Sequence, residues 1–204
     1  MKSYSNLTLS IPILFLSICL STLQSTARIL NDSIVKPQVR SSPIVIANLK
    51  TTENNYVKCT YGQPLKKGRE IFGNLVPYGK LWRTGANEAT EITFTNNIQI
   101  GSTQLPAGTY TLFSIPNKDK WTIILNSELG LWGDFDYDAT KNVLIYEAPV
   151  STNSDIYEGF TIQFEDVSNG FNLLLLWDTV KVTVPIQKIG ELEKPSKKKK
   201  RRRN

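Results

Sequence analysis

The chain has 204 residues, 40% of them hydrophobic and 21% charged, which suits one folded domain with a real core and excludes global disorder. Its net charge of +6 sits at one end: of 24 basic residues, seven form the run Lys197–Arg203, leaving 17 against 18 acidic ones. The fold itself therefore lacks the basic footprint of a nucleic-acid-binding surface, and no specific nucleic-acid partner is expected.

The N-terminus reads as an export leader. Lys2 supplies a positive start, Ile11–Leu20 is largely apolar, and Ser25-Thr26-Ala27 offers small residues to a signal peptidase. The apolar stretch is too short to span a membrane. Cleavage is expected after Ala27, which predicts an exported protein in the periplasm, cell envelope or medium. A lipid anchor at Cys19 is the rival reading, although Ile18 is bulky where a lipobox favours a small residue. With Cys19 in the leader, Cys59 is the one cysteine of the mature domain and an internal disulfide is excluded.

Residues 28–42 are polar and mixed and read as a linker; the globular domain is expected over 43–190. Short β-like runs follow in order: Ile44–Leu49, Tyr56–Tyr61, Glu91–Thr95, and Ile98–Ile100 beyond an Asn96-Asn97 turn. In the second run, Cys59 shares an alternation face with Val57 and Tyr61 and reads as a small buried hydrophobe. Thr109–Ile115 and Trp121–Leu125 form a hairpin pattern around Pro116–Asp119, after a tight turn at Leu105–Thr109. Val143–Ala148, Phe160–Phe164, Phe171–Trp177 and Val180–Ile186 complete the series, and Pro185 marks an edge or a strand end. β-branched and aromatic residues fill these runs, Gly, Pro, Asn and Asp separate them, and no helical period is present. The fold class predicted is all-β: a single antiparallel β-sandwich of about ten short strands, with a partly closed barrel as the alternative. Residues 191–204 read as a disordered polybasic tail. Lys197–Arg203 would touch anionic surfaces weakly and in a salt-dependent way.

Two segments carry a resemblance. They are YGQPLKKGREIFGNLVPYGKLWRTGANEAT (61–90) and LPAGTYTLFSIPNKDKWTIILN (105–126), the latter followed by WGDFDYD (132–138). In order and spacing they resemble an exported bacterial family of unknown function, domain-of-unknown-function family 2911, over roughly residues 43–187. The nine-residue run WRTGANEAT (82–90) is the most specific part. The resemblance implies export and a single β-rich domain, and it implies no activity. The polybasic tail, and Leu65 after Gln63-Pro64, depart from the family pattern.

The chain contains no histidine, which removes Ser-His-Asp and Cys-His catalysis and histidine-ligated metals. No cofactor and no metal are expected. The best candidate site is Trp82–Glu88, which places a guanidinium (Arg83), an amide (Asn87) and a carboxylate (Glu88) in a loop between strands. Arg83 can hold an oxyanion bidentately. The structural alternative is that Arg83 and Glu88 pair with each other, or bond to backbone, to fix the loop. Lys66, Lys67 and Arg69 form a basic loop, either anion-binding or simply solvated. Asp134, Asp136 and Asp138 alternate, but Ala139 and Ile145 occupy the positions where an EF-hand needs Gly and Glu, leaving a looser calcium site or an exposed acidic loop. Among the tryptophans, Trp121 and Trp177 read as packing, and Trp82 and Trp132 as the better ligand contacts.

These features predict a non-enzymatic envelope module that binds a small ligand, a glycan or a partner protein through Trp82, Arg83, Asn87, Glu88 and Trp132. The enzymatic alternative is a glycosidase-like hydrolase using Glu88 with Asp136 or Asp138 as its pair of acids. A third reading is a structural envelope component tethered to anionic polymer through the tail. Oligomeric state is not encoded legibly.

Overall fold

The computed structural model describes residues 39–51 and 55–192. The leader, most of the linker and the run Lys197–Arg203 lie outside the described residues. The chain divides into two units, Met1–Val39 and Arg40–Asn204, and the architecture belongs to the second.

Nine antiparallel strands carry that architecture: β1 (Ile44–Lys50), β2 (Tyr56–Gly62), β3 (Thr90–Phe94), β4 (Ile98–Ile100), β5 (Thr103–Leu105), β6 (Gly108–Ile115), β7 (Lys120–Asn126), β8 (Asn142–Val167) and β9 (Gly170–Lys188). A 3₁₀ turn at Ala139–Lys141 precedes β8. The strand order is β1-β2-β3-β6-β7-β8-β9-β4-β5. β8 belongs to two layers. Its first part, 142–149, pairs with β7, and its remainder, 150–167, pairs with β9. The sheet therefore folds over on itself, and the inner faces of the two layers meet as a sandwich. Tyr61 on β2 packs edge-on against Phe160 on β8 at 5.7 Å, and its hydroxyl accepts a hydrogen bond from the Ile162 amide at 3.1 Å. Phe94 on β3 stacks on Phe171 on β9 at 6.3 Å.

The period-2 pattern does what it predicts on β2, where Val57, Cys59 and Tyr61 are buried and the residues between them half-buried. Cys59 is fully enclosed, and burial pushes its thiol pKa upward, away from nucleophile character. The β6–β7 hairpin pairs as its sequence implies, Thr111 opposite Asn126 and Ile115 opposite Thr122.

The strand count of nine agrees with the expected series of about ten. One expectation needs correction, because two of the strands are long. The separate runs 143–148 and 160–164 lie on one strand, as do 171–177 and 180–186. The polar stretch between the first pair looks like a loop because it holds register shifts between Thr152 and Tyr157 and between Tyr157 and Thr161. These bulges interrupt the alternation without ending the strand. β3 pairs with β2 and β6, whereas β4 pairs with β5 and β9, so the Asn96-Asn97 turn carries the chain from one layer to the other.

Between β2 and β3 runs a connection of 27 residues, 63–89, without a strand of its own. Aromatic packing anchors it. Phe72 and Trp82 insert between the layers beside Trp121, Phe160 and Trp177. Trp82 touches each of the other four rings, lying parallel to Trp177 at 5.9 Å and edge-on to Phe160 at 4.9 Å. Each such ring contributes about 1.5–3 kcal/mol by burial, with about 0.5–1.5 kcal/mol more per well-oriented aromatic pair. That is enough to order a segment lacking ladder hydrogen bonds.

The connection also approaches β2 very closely. A Cβ placed on Gly62 would stand 2.0 Å from the Ala86 carbonyl oxygen, and the Ala86 amide donates to the Gly62 carbonyl at 3.0 Å. Gly62→Ala is expected to lower stability by about 3 kcal/mol or more, because backbone must move. Gly190→Ala, with open space around it, is expected to stay within about 0.5 kcal/mol. Urea denaturation of the two variants measures the contrast; equal midpoints would refute the close approach.

Candidate functional site

The 63–89 connection forms one side of a cleft of about 600 Å³, a volume within the usual range of roughly 300–1,000 Å³ for small-ligand sites. Its first stretch is pinned to the bulged part of β8. Gln63 Nε2 donates to the Phe160 carbonyl at 3.1 Å, the Phe160 amide to Pro64 at 2.9 Å, and the Lys66 amide to Glu158 at 2.7 Å. Lys67 is held at φ 49° by its amide, which donates to Glu158 Oε1 at 2.7 Å. Arg69 turns its Nε and Nη2 onto the carbonyls of Lys66 and Leu65, and Lys66 pairs with Asp178 at 2.6 Å. Of the basic loop, Lys67 and Arg69 line the cleft, while Lys66 is occupied by its partner.

The last stretch, 82–90, is fixed from several directions. Trp82 and Ser114 exchange backbone hydrogen bonds at 2.8 and 2.9 Å, and Trp82 Nε1 donates to the Gly85 carbonyl at 3.0 Å. Thr84 is fully buried at φ 52°, a left-handed conformation that a β-branched residue seldom adopts. It is held there by Oγ1 donating to Ser114 Oγ at 2.9 Å and by its carbonyl accepting from Thr90 Oγ1 at 2.7 Å. Five non-glycine residues have positive φ among the described residues, and four of them, Lys67, Thr84, Asn87 and Asp178, lie on or beside the segments that build the cleft. Strain of this kind persists only where the surroundings over-determine the backbone, and it concentrates at functional sites.

A third segment, 127–138, closes against this loop. Ala89 donates to the Leu131 carbonyl at 2.9 Å, Gly133 to Asn87 at 3.0 Å and Gly130 to Glu91 Oε1 at 2.9 Å. This brings Asp134 to Arg83, with Oδ1 3.8 Å from Nη2. At that distance the contact is an ion pair and not a hydrogen bond. Arg83 Nε is buried and has no hydrogen-bond partner among the described residues. The side chain as a whole is still 28% exposed and lines the cleft, so the guanidinium is under-satisfied on one side and open to an incoming acceptor on the other.

The predicted residues thus separate. Arg83, Trp82 and Asp134 line the cleft. Glu88 does not: it lines a second, smaller hollow of about 220 Å³ with Ile44, Thr60 and Glu91. The expected Arg83–Glu88 pair is replaced by Arg83–Asp134 and Arg40–Glu88, the latter at 2.7 Å. Asn87 serves the loop through its carbonyl and its left-handed backbone. Trp82 is mostly core, while Trp132 is 56% exposed and outside the cleft lining. Trp121 and Trp177 are core, as their strand positions imply. The three aspartates diverge: Asp134 faces Arg83, Asp136 is exposed, and Asp138 caps the 3₁₀ turn by accepting from the Thr140 amide at 2.8 Å. Among the described residues no group of three or more His, Cys, Asp or Glu is placed to hold a metal ion.

The model for a protein family of unknown function, DUF2911, matches residues 42–186. The chain belongs to this family. The match covers all the strands save the last two residues of β9, and every cleft-lining residue but Ser41. No curated protein and no solved structure matches the chain.

Sequence reading missed the apolar wall of the cleft, formed by Leu65, Leu75, Val76, Pro77 and Leu81. The available signal was length. A 27-residue connection without a strand of its own inside a β-domain is uncommon unless it is functional.

Two of the acids nominated for hydrolysis, Glu88 and Asp138, are tuned away from proton donation. The hydrogen bond from Arg40 holds the Glu88 carboxyl below the usual range, and those from the Thr140 side chain and backbone do the same for Asp138. A glycosidase acid requires the opposite shift. Because the folded pKa of Glu88 is depressed, its contribution is present above the ordinary value of 4.5 and is lost as pH falls through the folded value. With both partners about 40% exposed, that contribution is under about 1 kcal/mol. Glu88→Gln is expected to be slightly less stable at neutral pH, with the gap closing in acid. A gap that persists undiminished below pH 4.5 would place the effect elsewhere.

Proposed function

We propose that the domain is a non-enzymatic binding module that works after export and takes a small ligand bearing an anionic group in the cleft beside Arg83. One observation carries the reading: the partly exposed Arg83 side chain lines the cleft, its Nε has no hydrogen-bond partner among the described residues, and Asp134 stands too far away for a hydrogen bond. Three cations, Lys67, Arg69 and Arg83, line the cleft against one carboxylate, Asp134, so the local field favours an anion. The strained, multiply tied backbone of 82–90 supports a preorganised site, which binds without an ordering cost.

The test is a thermal-shift comparison of small anions with neutral isosteres, for instance benzoate against benzamide, on the natural sequence and on Arg83→Gln. A ligand at about a hundred times its Kd stabilises by about 2.7 kcal/mol, which moves Tm by several degrees in a domain of this size. The anions are expected to raise Tm for the natural sequence and not for Arg83→Gln. Identical shifts in the two proteins, or none in either, would reject the site.

Export rests on the sequence of the leader, and its test is the mass of the protein recovered from cells. A mature N-terminus at Arg28 is expected; a chain retaining Met1 and found in the cytosol would refute it.

A further inference from the structure

Resting on that reading, we infer that the ligand is an oxyanion-headed amphiphile: a carboxylate or phosphate on a single apolar chain. The lining combines two chemistries that seldom meet by accident. Arg83 presents a partly exposed guanidinium with no hydrogen-bonded carboxylate, and the ammonium of Lys67 has no ion-pair partner, among the described residues. Around them stand Leu65, Leu75, Val76, Pro77 and Leu81. Leu75 is a large hydrophobe left 41% exposed at this cleft. Covering it with an apolar chain removes that surface from water, a gain of about 25 cal/mol per Å² that no small inorganic anion supplies.

The other ligand classes fit less well. A glycan needs amides and hydroxyls to satisfy its own hydroxyls and an open ring face to stack on. Among the described residues only two side-chain hydroxyls, Ser41 and Ser42, and no side-chain amide line the cleft. Its two tryptophans, Trp82 and Trp177, have their faces closed by each other and by Phe160. A metal cation would meet three positive charges and a single carboxylate. An oxyanion with an apolar body uses both halves of the lining. Asp134, 3.8 Å from Arg83, repels that oxyanion and competes for the same guanidinium, so it holds the head-group position in the free protein and restrains affinity.

The experiment is a titration of the full chain with decanoate, decyl phosphate, decyl maltoside, decyltrimethylammonium and inorganic phosphate, each below its critical micelle concentration. Binding is read by calorimetry and by the fluorescence of Trp82 and Trp177, which border the cleft. Decanoate or decyl phosphate is expected to bind at least about tenfold more tightly than decyl maltoside, inorganic phosphate or the cationic amphiphile; whichever of the two binds better identifies the head group. Arg83→Gln is expected to weaken the anionic amphiphile by about ten- to a hundredfold and leave decyl maltoside unchanged. Asp134→Asn is expected to tighten the anionic amphiphile, a gain that a misfolded variant cannot mimic. Equal affinity for anionic and neutral chains, or an Asp134→Asn variant that binds no tighter, would overturn the head-group assignment. Inorganic phosphate binding as tightly as decanoate would overturn the apolar part while leaving the anion-binding module standing. Failure of every amphiphile, alongside anion-dependent shifts in Tm, would reject this ligand class alone; failure of both sets would reject the module as well.

Discussion

The structure turns on the packing of Trp82. Its ring is shared by Phe72, Trp121, Phe160 and Trp177, residues drawn from the irregular connection, β7, β8 and β9. Its indole N–H is satisfied by the Gly85 carbonyl within the same loop. A long connection has high conformational entropy and no ladder to hold it, and the buried aromatic ring offsets that cost. Once the ring is docked, the next residue has little choice. Arg83 is carried to the cleft wall by a neighbour fixed in the core and by Thr84 fixed in a strained conformation behind it.

The same arrangement explains why Arg83 remains under-satisfied. Its backbone is over-determined, so the loop cannot shift to carry it toward a better partner without disturbing Trp82 or Thr84. The segment that brings Asp134 is likewise tied down by Ala89, Asn87 and Glu91. The two charges are held near each other and short of contact. A pair free to relax would close to hydrogen-bonding distance, as Arg40 and Glu88 do at the surface.

Much of the fold was legible because alternation is a local signal. β1, β2, β4 and the β6–β7 hairpin follow from apolar periodicity and turn residues that act within a few positions. The long strands were not legible, because the bulges of β8 and the left-handed Asp178 in β9 break the pattern without breaking the strand. The site was legible in part. Trp82-Arg83 is an informative pair in any reading, and the acidic run 134–138 does reach it through Asp134. Which carboxylate meets which guanidinium is decided by loop pairing across 40 or more residues, and local sequence carries no record of that. The partner of Glu88 is Arg40, 48 residues away, at a position that reads only as linker. The apolar wall was hidden for another reason: Leu75 and Leu81 obey no period, since the segment that bears them has none.

The walls of the cleft come from distant parts of the chain. Gln63 reaches Phe160 across 97 residues, and Tyr61 reaches the Ile162 amide across 101. The lining itself runs from Ser41 to Trp177, so the cleft cannot be complete until β9 has been synthesised. The cleft is therefore a property of the finished domain and not of any excised piece. A molecule that bound there would add to the free energy of the whole cooperative fold, so occupancy and resistance to proteolysis would rise together.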